Sequence, residues 1–160
     1  DASYNFRKSL SDNDAERGMP GIEELSTRTF RALFRYSPSP DFTVSTRIDY
    51  KRADETGSHG MMMLQDLKYS FRQLPVTIWM RHSVFSTDDW NSRIYAYEND
   101  LLHSFSIPAL SGKGSRSYLM AEWEIGKLAE LRVKYALTSV SGMNNINEKD
   151  ELKVQLRLRF

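Results

Sequence analysis

The sequence predicts an all-β fold, an antiparallel transmembrane β-barrel with roughly eight to ten strands in this chain. Three observations carry that expectation. Segments alternating between apolar and polar residues recur along the chain, and a period of two belongs to strands rather than helices. The longest uncharged apolar cluster is Met61-Met62-Met63-Leu64, far short of the roughly 18 residues a membrane helix needs, so any crossing falls to strands. Short connections alternate with long polar ones, the habit of barrels with tight turns on one side of a membrane and loops on the other.

A first strand is expected near Tyr4 to Leu10, and a second over 28–36, where Phe30, Ala32, Phe34 and Tyr36 oppose Arg31, Leu33 and Arg35. Ser37-Pro38-Ser39-Pro40-Asp41 ends it, because proline cannot donate to a ladder. Over 41–51, Phe42, Val44, Thr46, Ile48 and Tyr50 oppose Thr43, Ser45, Arg47, Asp49 and Lys51. A less cleanly alternating hairpin follows over 61–72 and 75–85, turning at Gln73-Leu74-Pro75. Within 93–107, Tyr95-Ala96-Tyr97 and Leu102 to Ile107 flank Glu98-Asn99-Asp100; two short crossings are favoured over a hairpin standing outside the membrane. Leu119, Ala121, Trp123 and Ile125 (117–125) form a hairpin with Leu131, Val133, Tyr135 and Leu137 (129–139) through Gly126-Lys127-Leu128. The final strand, 151–160, sets Leu152, Val154, Leu156, Leu158 and Phe160 against Glu151, Lys153, Gln155, Arg157 and Arg159. Its length matches the roughly 9–11 residues of a tilted membrane strand. With Phe160 on the periplasmic side, the short turns near 37–41, 73–75 and 126–128 are periplasmic and the loops near 53–60, 86–92 and 140–150 external. Tyr36, Tyr50, Phe71, Phe85, Trp90, Tyr118 and Phe160 lie at strand ends, as interfacial aromatic girdles do.

Composition excludes more than it selects. The 160 residues are 40% apolar and 27% charged, as in a soluble domain or in a barrel whose lipid and lumen faces balance. With 22 basic and 21 acidic residues, net charge is +1, so no global field draws nucleic acid or anionic lipid. Cysteine is absent, which excludes disulfides and thiolate metal sites and suits export through an oxidising periplasm. The chain begins at Asp1 without a signal peptide and is expected to be a processed form or a fragment.

The stretch from Thr87 to Leu110, with its core Asp88-Asp89-Trp90-Asn91-Ser92-Arg93-Ile94-Tyr95-Ala96-Tyr97-Glu98-Asn99-Asp100, and then Gly112-Lys113-Gly114-Ser115-Arg116, resembles a segment near the C-terminus of large outer-membrane proteins of Bacteroidota. These are described as helix-hairpin-helix (ComEA-like) domain-containing proteins. Gln65-Asp66-Leu67 and the basic ending Lys153 to Phe160 are similar as well, and the resemblance spans residues 28–160. It implies the end of a larger barrel in the outer membrane. Nothing in the chain matches a helix-hairpin-helix motif, so any nucleic-acid partner would belong to a region not in this chain.

The polar strand faces supply the candidate lumen lining: Arg31, Arg35, Arg47, Asp49, Lys51, Glu122, Glu124, Glu130, Arg132, Lys134, Lys153, Arg157 and Arg159, with Lys68, Arg72 and Arg81 on the same side. Glu122 and Glu124 are expected to face Arg132 and Lys134. An ion-pair network that fills or stiffens the wall is favoured over an open pore lining, because small barrels fill their interiors with side chains. An open lumen would favour anions. Leu152, Val154, Leu156, Leu158 and Phe160 form the pattern that barrel-insertion machinery reads, and outer-membrane lipid is the other expected partner.

No catalytic, cofactor or metal residues are expected: His59, His82 and His103 lack metal-site spacing, and Ser111-Gly112-Lys113-Gly114-Ser115 lacks that of a phosphate loop. The chain is therefore expected to be a non-enzymatic channel or scaffold serving uptake or envelope assembly. Two alternatives remain. A soluble, lipocalin-like barrel would turn the same apolar residues inward around an apolar ligand. An outer-membrane hydrolase would need a serine or aspartate within hydrogen-bond reach of His82 or His103.

Overall fold

A computed structural model describes residues 2–13, 21–126, 128–142 and 145–158. Arg159 and Phe160, one candidate lining residue and the end of the candidate insertion signal, lie outside the described residues, as does Lys127. The elements are β1 (Ala2–Asn13), β2 (Gly21–Ser39), β3 (Phe42–Ala53), β4 (His59–Ser70), β5 (Val76–Thr87), β6 (Ile94–Tyr95), β7 (Ala109–Leu110), β8 (Lys113–Ile125), β9 (Ala129–Ser141) and β10 (Ile146–Leu158). All but β6 and β7 form one antiparallel meander of eight strands in the order β1-β2-β3-β4-β5-β8-β9-β10. Among the described residues β1 and β10 do not pair with each other, and no helix is long and apolar enough to cross a membrane.

Alternation sets the register. Ile48 pairs with Ala32 and Met63, so apolar rows run across neighbouring strands, while Asp49 falls beside Arg31 on the opposite face. A one-residue slip anywhere would exchange the faces. Pro38 lies where the β2–β3 register shifts between Tyr36 and Ser39, and the chain turns at Pro40 and Asp41. Proline thus sits where the ladder is interrupted. Gly126 opens the β8–β9 turn with a φ of 61°, which costs glycine nothing sterically.

Two expectations change at the ends of strands. The stretch 140–150, expected as a loop, is largely strand: Ile146 to Asp150 pair with Ser141 to Leu137, so the connection contracts to 142–145. The polar residues there still alternate in pairing register, and backbone pairing outweighs their polarity. Phe85 and Tyr118, expected in an interfacial girdle, are instead buried on the charged side of the sheet, because they share strand parity with Arg81 and Arg116.

The larger change concerns 93–107. Rather than adding two strands to the sheet, the chain leaves β5 and runs across one face of it before rejoining at β8, pairing Ile94 with Leu110, Tyr95 with Ala109 and, as a single bridge, Glu98 with Ser106. One proline, Pro108, and short polar runs keep the ladder of this segment short. Its apolar residues Ile94, Ala96 and Leu110 bury Met62, Leu64 and Phe85 of β4 and β5, with Val140 at the margin. That cluster explains why β4 and β5 alternate poorly: both of their faces need apolar side chains. Each fully buried side chain of this size contributes about 1.5–3 kcal/mol. Gly60 allows the close approach, since a Cβ there would overlap the Ser92 carbonyl oxygen.

Candidate functional site

The sheet has a covered face and a bare face, and their chemistry is inverted relative to a soluble sheet. On the bare face Leu119, Tyr135, Leu152, Val154, Leu156 and Leu158 are exposed. On the covered face Asp49 and Lys134 are essentially inaccessible, at 0% and 1%. Strand parity puts every described candidate lining residue on this covered side.

The excursion 88–112 is held there by charge and by its own backbone carbonyls. Glu98, 1% exposed, accepts two hydrogen bonds from Arg116, at 2.6 and 2.9 Å, and one from Lys134 at 3.0 Å. Asp100 accepts from Lys153 at 2.9 Å and Leu101 N at 2.8 Å. Arg47 donates to the Tyr95 carbonyl at 3.2 Å, Lys51 to that of Arg93 at 3.2 Å and Arg81 to that of Tyr97 at 2.5 Å. Gln155 closes the far end, accepting from Leu102 N at 2.8 Å and donating to its carbonyl at 3.2 Å. Anchors on β3, β5, β8, β9 and β10 therefore hold a segment with almost no ladder of its own. Tyr118 supports the cluster from below, its ring 4.8 Å from the Lys134 ammonium and its hydroxyl accepting from Asn99 N at 3.3 Å.

Burial pushes the Glu98 carboxyl toward the neutral form, but Arg116 and Lys134 outweigh it and hold its pKa below the ordinary carboxylate value. Asp100 behaves likewise: burial raises it, while Lys153, the Leu101 amide and Lys134 bring it down further. Both carboxylates stay charged where they sit.

The remaining lining residues pair within the wall. Asp49 lies between Arg31, at 2.9 Å, and Arg47, which approaches it with both Nε and Nη2. Arg132 bridges Glu122 and Glu130, each at 2.7 Å. Arg81 makes a two-pronged contact with Asp66, at 2.5 and 2.7 Å. Lys153 also meets Glu151 at 3.1 Å. Lys134 does not pair with Glu122 or Glu124; it meets Glu98 at 3.0 Å and Asp100 at 3.9 Å, because the excursion brings these carboxylates above it. Glu124 stands opposite Glu130 in register, and Arg35 and Arg157 are exposed at the margins of the same face. Glu98, Asp100, Asp66 and Arg116 complete this layer, yet none had been singled out as lining. Arg116 shares parity with Glu122 and Glu124, so extending the β8 pattern by a few residues would have found it. No local signal marks Glu98 or Asp100.

The bare face carries a different arrangement. Thr46, Gln65, His82 and Ser117 occupy one row across β3, β4, β5 and β8. Thr46 donates to Gln65 Oε1 at 2.7 Å, and His82 Nδ1 lies 2.8 Å from Ser117 Oγ. Gln65, His82 and Ser117 border a depression of about 490 Å³ walled by Val44, Leu67, Met80, Leu119, Tyr135 and Leu137. Among the described residues no serine hydroxyl or carboxylate bonds the His103 ring, and no three potential metal ligands converge.

Comparison with protein-family models, with curated proteins and with solved structures gave no match. What the residues define is an all-β antiparallel sheet, apolar and bare on one side, charged and covered on the other.

Proposed function

We propose that this sheet is part of the wall of an outer-membrane β-barrel, its bare face toward lipid and its charged face toward a lumen that the excursion 88–112 plugs. One observation carries the proposal: Asp49, Glu98 and Lys134 are buried while Leu119, Val154 and Leu156 lie open. A sheet in water buries the opposite set, whereas a bilayer solvates the apolar face and a lumen accepts the charged one. The strands β3, β4, β5, β8, β9 and β10, of 12 or 13 residues, exceed the roughly 9–11 of a tilted crossing, and the bare-face residues at one end, Lys113, Ser115, Ser139 and Glu148, suit the part projecting beyond the bilayer. An eight-stranded barrel is filled by side chains alone, so room for the excursion favours a wall with more strands than these. That agrees with the proposed kinship to the C-terminal barrel portion of Bacteroidota helix-hairpin-helix proteins.

In this capacity the chain acts as a scaffold, or as a channel once the excursion shifts. Leu152, Val154, Leu156 and Leu158 would present the insertion signal. The test is detergent dependence together with heat-modifiable gel migration. Extraction only with detergent and a shift on boiling are expected, and a protein soluble without detergent and showing no shift would overturn the proposal. Leu119→Arg adds a graded readout: about 2–4 kcal/mol lost in vesicles if the site lies near the bilayer midplane, against about 0.5 or less on a water-facing surface. The depression on the bare face favours one rival, a carrier of an apolar ligand, which would be soluble and bind a fatty acid stoichiometrically.

A further inference from the structure

We propose that Ser117 and His82 form the nucleophile and general base of an acyl-ester hydrolase site on the bare face, taking esters of long-chain fatty acids. The site rests on the membrane proposal for its supply of lipid, while the pairing of Ser117 with His82 stands apart from it.

The geometry has three parts. His82 Nδ1 and Ser117 Oγ are 2.8 Å apart, within the reach that a nucleophile and its base require. They come from neighbouring strands, β5 and β8, where direct pairing of His82 with Ser117 fixes their approach on a rigid wall. An acyl chain has a place to lie: Met80, Leu119, Tyr135 and Leu67 wall the depression that His82 and Ser117 border. The row also marks a chemical boundary. Along β8 the bare-face side chains run Ile125, Trp123, Ala121 and Leu119, and then change to Ser117, Ser115 and Lys113. An ester linkage joins an acyl tail to a polar head, and the His82–Ser117 pair lies where this face changes from apolar to polar side chains. His82 and Ser117 stand beside the exposed apolar side chains of this face, in one row with Thr46 and Gln65.

In the tautomer protonated at Nε2, Nδ1 accepts the Ser117 proton as Oγ adds to the ester carbonyl carbon. The tetrahedral adduct collapses with cleavage of the carbon–oxygen ester bond, and His82 returns that proton to the departing oxygen, releasing the alcohol and leaving acyl-Ser117. Water then adds to the acyl carbon while His82 takes its proton. Ser117 Oγ leaves with that proton, and a free fatty acid is released. The net change is ester plus water to acid plus alcohol.

The experiment uses the full chain in detergent micelles and in phosphatidylethanolamine vesicles. Wild type is expected to react with a fluorophosphonate probe, to carry the adduct on Ser117 by peptide mass mapping, and to hydrolyse p-nitrophenyl palmitate faster than the acetate. Ser117→Ala should abolish labelling and turnover. His82→Asn should slow labelling about a hundredfold or more, while Ser115→Ala leaves it unchanged. Heat-modifiable migration of each variant reports folding and insertion separately. Folded, inserted wild type that takes no probe, or labelling that His82→Asn does not slow, would overturn the hydrolase site and leave the barrel proposal standing. Labelling at Ser117 in a protein that is soluble and shows no heat shift would support the hydrolase site and overturn only the barrel.

Discussion

The two faces of one sheet hold their residues by different physics. On the covered side, charges are buried in pairs and triads and the excursion is fastened by hydrogen bonds; on the bare side, apolar residues make few contacts and await a medium. The lesson is that the strands fix which residues share a face, whereas the excursion decides which of those faces is dry. Without it, Lys134 and Arg116 would stand above a surface with no carboxylate at Glu98 to meet them.

The largest disturbance of this contrast is expected from Glu98→Ala, which leaves two cations buried without their shared partner. A loss of about 3–5 kcal/mol is expected on breaking such a pair, read by chemical unfolding in micelles; a loss under 1 would mean that the excursion moves aside freely. Gly60→Val tests the fit rather than the charge. Its side chain must displace the Ser92 carbonyl, with about 1–3 kcal/mol lost as in other overpacked sites and faster amide exchange expected over 92–98 than over β9.

Acid should loosen the same segment. The Glu98 and Asp100 pKa values are depressed, so their stabilisation is complete above the ordinary carboxylate range and is lost as pH falls through the lower folded-state values. Protease access within 93–107 should therefore rise below about pH 4 and stay flat between pH 6 and 8. Around these carboxylates stand Arg116, Lys134, Lys153 and Glu151. The smallest effect is expected for Arg28→Ala. Its pair with Asp54 is 3.0 Å long but its side chain is 56% exposed, so about 0–1 kcal/mol is expected; a larger loss would show that this end of the sheet is less open to water than its exposure indicates.

Much of the sheet was legible in the chain. Strict alternation in 151–158, in Leu131 to Leu137 and in Phe42 to Tyr50 named both the strands and the residues sharing a face, because parity is a local property of an extended backbone. Strand ends were less legible: Ile146 to Asp150 reads as polar loop, yet it pairs with β9. The excursion was illegible in its essentials. Glu98 and Asp100 look like turn residues between aromatic neighbours, and their partners lie 18 and 53 positions away on Arg116 and Lys153. His82 and Ser117, separated by 35 positions, met only because β5 skips over the excursion to pair with β8.

By itself, then, the sequence determined that the chain is extended, how its faces divide, and that one face is apolar and the other charged. Tertiary structure decided which face is covered, which carboxylate answers which cation, and that a histidine and a serine stand side by side on the bare face. Period-two patterning acts between neighbours along the chain. Ion pairing and close approach act through space, and they depend on where a long connection comes to rest.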